Sequence, residues 1–181
     1  MSSWSELSEF IAALDAEDRA KVGRYAFLEL PENTGEIELL LSAPENPAAT
    51  PAQFVSNVIS QAASARDLDL ARKLGPVALD AAETPGDLQL AHASLAQAYF
   101  QNRRDPESAK SFEKHCRAAI EAGHAGTFCY ERLAALYEYR GDLEEALRIS
   151  HRAAEVLRAA GDERSAARFE KRAERLSRKS R

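Results

Sequence analysis

The chain has 181 residues, 45% of them hydrophobic and 29% charged, with a net charge of −5. That balance fits a globular chain with its own core; it offers no apolar run long enough for a bilayer and, with only Cys116 and Cys129, no disulfide framework or metal cage. The first residues, Met1-Ser2-Ser3-Trp4-Ser5-Glu6, have neither the basic nor the apolar character of a secretory leader, so the chain is read as cytoplasmic.

Glycine and proline are scarce while alanine and leucine abound, which favours helix and an all-α fold. The predicted helices, in chain order, span 3–14, 16–29, 51–65, 68–82, 87–101, 106–122, 127–139, 143–159 and 162–178. Ser3 with Glu6, Thr50 with Gln53 and Asp142 with Glu145 have the spacing of capping boxes. Thr50-Pro51 and Asp105-Pro106 place proline at a first helical position. Within the helices, Leu143, Ala146, Leu147, Ser150, Ala153, Ala154 and Leu157 trace one buried stripe, as do Leu88, His92, Leu95, Ala96 and Tyr99. Residues 30–50, with Pro31, Gly35, Pro44 and Pro47, read as the least regular segment, with one short helix around Glu36–Leu41.

From Phe54 onward the predicted helices come in pairs joined by short turns, the mark of a repeat. The clearest unit carries Tyr130, Leu133, Ala134, Tyr137, the Gly141-Asp142 turn, Ala146 and Ala153. It resembles a tetratricopeptide repeat (TPR), in which small residues let two helices cross closely and an aromatic fills the space between repeats. Two weaker copies precede it. One has Leu95, Ala96, Tyr99 and Ala109; the other has Val55, Val58, Ile59, Ala62, Asp67, Leu68, Ala71 and Ala78. The resemblance implies an α-solenoid of TPR-like hairpins. Residues 1–50 would form an N-terminal helical cap and linker, 51–160 three repeats, and 161–181 a basic C-terminal capping helix and tail. A plain helical bundle with leucine and alanine stripes is the alternative.

The resemblance also implies a site. TPR proteins hold partner peptides along the concave face of their first helices. On this chain those positions include Gln53, Asn57 and Ser60, then Ala93, Ser94, Gln97 and Phe100, then Phe128, Glu131, Arg132, Ala135 and Tyr139. The lining is mostly neutral and polar, with aromatics toward the third repeat. The family's carboxylate clamp for chaperone tails is matched only by Arg132, because Ser56, Ser60, Ser94 and Phe128 stand at its other positions. The N-terminal segment filling this groove is the competing expectation.

Charge is unevenly spread. Residues 1–50 carry ten acids and three bases, whereas eight bases and two acids lie from Arg164 to the end. In the last predicted helix Ala166, Phe169, Ala173 and Leu176 form an apolar stripe, and Arg164, Arg168, Lys171, Arg172 and Arg175 surround it. This is a candidate anion contact, weighed against a solubilising face on a capping helix. The two charged ends also allow self-association.

No catalytic motif or phosphate-binding loop is present. His92, His115, His124, His151 and the two cysteines are scattered and are expected to pack rather than bind metal. The expectation is therefore a non-enzymatic scaffold or adaptor for a protein or peptide, with no cofactor and no membrane, and with nucleic acid only as the alternative partner. Anion or nucleic-acid binding through the basic helix, or service as an accessory subunit, are the alternatives.

Overall fold

A side-chain oxygen accepts a first-turn N–H at the start of almost every helix. Ser3, Asp15 and Asn33 cap α1 (Trp4–Ala13), α2 (Ala16–Ala26) and α3 (Thr34–Leu41). Thr50 and Asp67 cap α4 (Pro51–Ser64) and α5 (Leu68–Asp80), and Thr84 and Asp105 cap α6 (Pro85–Gln101) and α7 (Pro106–Glu121). α8 (Thr127–Arg140) begins after Gly126 without a side-chain cap, Asp142 caps α9 (Leu143–Ala159), and Asp162 accepts from the Ser165 amide at the start of α10 (Glu163–Lys179). The computed structural model describes residues 3–179, so Arg181 of the basic tail lies outside the described residues. Among the described residues the fold is all-α, without a strand, and no helix is long and apolar enough to cross a membrane.

Besides shifts of one or two residues at other helix ends, the punctuation differs from expectation at four points. α6 starts at Pro85, not at 87, because Thr84 and Asp87 form a reciprocal capping box ahead of it. α2 stops at Ala26 rather than 29, because Phe27 turns left-handed (φ 57°) and the Leu28 amide closes onto the Gly23 carbonyl. Thr50 caps α4, but the Gln53 side chain reaches the Ala49 amide and Asp87 instead of its own N-cap. Asp142 caps α9 alone, since Glu145 pairs with Arg148 and Arg117.

Packing follows chain order. α1 rests on α3 and α2 on α4, so α1 to α3 share a core with α4 to α6 through Leu7, Ile11, Val22, Ile37 and Leu41. α4 then packs on both α5 and α6, α6 on α7, α8 on α9, and α9 on α10. A second core runs from α6 to α10. α6 joins the two, giving Ala91, Leu95 and Ala98 to the first and Ala93 and Ala96 to the second. Each leucine, isoleucine or phenylalanine removed from water contributes about 1.5–3 kcal/mol.

Small residues set how closely the helices approach. Ala62, Ala71, Ala78, Ala96, Ala134, Ala146 and Ala153 are all wholly buried. In the middle hairpin Ser108, rather than Ala109, takes the fully buried position near the start of the second helix. A Cβ on Gly75 would lie 2.9 Å from Leu95 Cδ2, so α5 meets α6 there at glycine distance. α10 docks with Ala166, Phe169, Ala173 and Leu176 inward, as its apolar stripe predicts.

Candidate functional site

Two pairs of helices lie side by side in one register. Thr50 Oγ1 and Gln53 Nε2 of the α4 start donate to Asp87 Oδ1 of α6, across 37 and 34 residues. Further along, the Ser60 and Ser94 hydroxyls meet at 2.9 Å, again 34 residues apart. The same offsets join α8 to α10. Arg168 pairs with Glu131 and Arg175 with Glu138 across 37 residues, and Arg172 Nε reaches Glu138 at 2.6 Å across 34. α4 with α6, and α8 with α10, therefore run in the same direction.

Aromatic and cationic side chains bridge the junction between α6 and α8. The Phe100 ring meets Phe128 edge-on at 5.6 Å and Phe112 at 5.3 Å. The Arg103 guanidinium lies 4.2 Å from the Phe100 ring centre and that of Arg132 lies 4.9 Å away. These contacts hold Arg132 in place while it stays exposed.

A cleft of about 500 Å³ opens between α8 and α10, lined by Glu131, Arg132, Ala135, Arg168, Lys171 and Arg172 together with Phe169 and Arg175. Part of the predicted groove and most of the predicted anion contact thus meet in one place. Arg164 lies exposed before the cleft and does not line it. Glu131 neutralises Arg168, and Glu138 is shared by Arg172 and Arg175. Among the described residues Arg132 and Lys171 have no acidic partner.

At the other end, a pocket of about 410 Å³ lies between α4 and the N-terminal segment. Asn57 and Ser60 line it, with Phe54 and Val58 of α4 facing Phe27 and Leu28. Phe27 is 81% exposed and left-handed, an unusual state for a bulky residue. The N-terminal segment packs on α4 and forms the opposite wall of this pocket, beside the predicted groove positions Asn57 and Ser60. Neither Phe27 nor its turn carries a sequence signal.

The remaining predicted groove residues divide. Gln53 is tied to Asp87 and Ala49, and Ser94 is buried under Ser60. Gln97 is half-buried on α6. Tyr139 is 90% exposed. Ser56 and Ser94, two positions where the resemblance would put clamp residues, are both buried.

Asp87 is the most heavily bonded acid. Burial pushes its carboxyl up, but bonds from Thr84, Thr50 and Gln53 outweigh it and hold the carboxyl below the ordinary range. The Nδ1 atoms of His92 and His115 are in contact; burial depresses both rings, His115 to about 4. Cys116 and Cys129 are buried thiols, and burial with the neighbouring Cys129 pushes Cys116 up. Among the described residues no group of three or more His, Cys, Asp or Glu could hold a metal ion. No family model, no curated protein and no solved structure matches the chain.

Proposed function

We propose that residues 51–160 are three TPR-like hairpins and that the protein is an adaptor holding a peptide or helix of a partner protein along α4, α6 and α8. The repeat reading is supported by the 34- and 37-residue offsets of the inter-helix hydrogen bonds and by the buried alanines at helix crossings. The binding reading rests chiefly on one observation. The pocket at Asn57 and Ser60 meets α6 through the Ser60–Ser94 hydroxyl contact, and further along the same helix Phe100 contacts Phe128 and Arg132 at the basic cleft. Such a surface suits an extended or helical peptide better than a small substrate, which needs a closed, water-excluding pocket. The reading assigns the chain no catalysis.

Anion contact through α10 is the second reading, and the shared cleft makes it part of the first. Selection from a random peptide library, followed by amide-shift mapping of an enriched peptide, tests the proposal. Shifts at Asn57, Gln97, Phe100 and Arg132 are expected. Shifts confined to α5, α7 and α9, or no enriched peptide, would place recognition elsewhere.

A further inference from the structure

We infer that the cleft between α8 and α10 selects an acidic peptide segment, whose carboxylates engage Arg132 and Lys171; this rests on the peptide-holding reading and adds the chemistry of the ligand. Five cations (Arg132, Arg168, Lys171, Arg172 and Arg175) share two carboxylates, Glu131 and Glu138. The excess sits on the two that lack an acid. Arg132 is held by the Phe100 and Phe128 rings, so little side-chain freedom is lost when it grips a carboxylate. A concave wall with a net positive charge focuses the field beyond what the same charges would give on a flat surface.

The acid does not come from the acidic end of the same molecule. α1 to α3 rest on one another and on α4, and their core is the one at the far side of α6 from α10. Phosphate tracks of a nucleic acid fit less well. Glu131 and Glu138 interrupt the row of cations, Arg132 stacks on the Phe100 and Phe128 rings that bases would otherwise use, and the chain as a whole is acidic. Carboxylates spaced along a peptide can address Arg132 and Lys171 while passing the two glutamates.

The test uses the full chain and fluorescence anisotropy with three labelled probes: a peptide of six glutamates and one phenylalanine, the same peptide with six glutamines, and a hexathymidylate. The glutamate probe is expected to bind at least about tenfold tighter than the glutamine probe, and to weaken as salt screens the cleft. Arg132→Gln and Lys171→Gln, both at exposed positions, should each cost about five- to tenfold, while Arg152→Gln on α9 should change nothing. Equal binding of the glutamine probe, undiminished binding by both variants, or tighter binding of hexathymidylate would overturn the inference. So would sedimentation showing that Lys171→Gln abolishes a self-association that excludes the glutamate probe. Library peptides that bind the concave face without acids, indifferent to Arg132 and Lys171, would sink this inference and leave the groove reading standing. Absence of any peptide on that face would remove both.

Discussion

The Nδ1 atoms of His92 and His115 lie 2.9 Å apart, and the His115 ring stacks on Tyr99 at 5.6 Å with the planes nearly parallel. One ring donates its Nδ1–H and the other accepts, which requires the acceptor to be neutral. His115 is itself buried, at 8% exposure. Burial first, then the charges of His92 and Lys114, lower it from 6.5 to about 4. The unfolded chain therefore binds the proton more readily than the folded one. The stability due to a neutral His115 is complete above pH 6.5 and is lost as pH falls toward 4, a change on the order of 3 kcal/mol. Urea unfolding between pH 7 and 4 should show this slope, and His115→Gln should flatten it. An unchanged slope in that variant would assign the proton to another group.

Asp87 ties two helix starts together. One carboxylate oxygen takes the Thr84 amide and hydroxyl, and the other takes Thr50 and Gln53 from α4. Asp87→Ala strands these donors in a site that is 1% exposed and should cost about 2–3 kcal/mol at pH 7. Because the folded carboxyl titrates below 3.8, the wild-type advantage holds above that pH and shrinks as pH falls through the lower folded value. Denaturant melts of both proteins at pH 7 and pH 3 read the gap directly.

The same residue marks where sequence reading stopped. Most helices were legible because their starts carry a capping oxygen and often a proline at the first position, both local signals. Thr84-Pro85-Gly86-Asp87 has those signals too, but Pro-Gly also spells a turn, so the pattern points to a start at 87 where the helix begins at Pro85. The end of α2 was illegible because nothing local asks Phe27 to turn left-handed; the Leu28–Gly23 closure does. The cleft was half legible. Arg132 and the α10 cations were visible as types, but their meeting depends on α10 lying parallel to α8 with Glu131 and Glu138 between them, which is tertiary information.

Two glycines should respond differently to alanine. Gly141 closes α8 at φ 80° with open space around its Cβ position, so Gly141→Ala meets only backbone strain, about 1 kcal/mol. Gly75 has ordinary backbone angles, but its new methyl would sit 2.9 Å from Leu95 Cδ2, a buried side chain. Gly75→Ala should cost about 1–3 kcal/mol through overpacking between α5 and α6. Thermal melts should rank Gly75→Ala at or below Gly141→Ala, and pairing Gly75→Ala with Leu95→Val should recover part of the loss. No recovery would show that the methyl meets something other than Leu95.

Glu138 offers the sharpest separation of stability from binding. Its carboxylate, mostly covered, accepts from Arg172 at 2.6 Å and from Arg175 at 2.9 Å, and so fastens α10 to α8. Glu138→Gln leaves the apolar stripe of α10 in place but releases two guanidinium groups from their neutralising partner. The fold should lose about 1–2 kcal/mol, while the cleft gains positive charge. Affinity for the six-glutamate probe should therefore rise, by roughly threefold to tenfold, even as the melting temperature falls. A variant that loses both stability and affinity would mean that Glu138 shapes the cleft rather than limiting its charge. A stability loss with unchanged affinity would mean that Arg172 and Arg175 serve only to dock α10, leaving Arg132 and Lys171 to carry recognition alone.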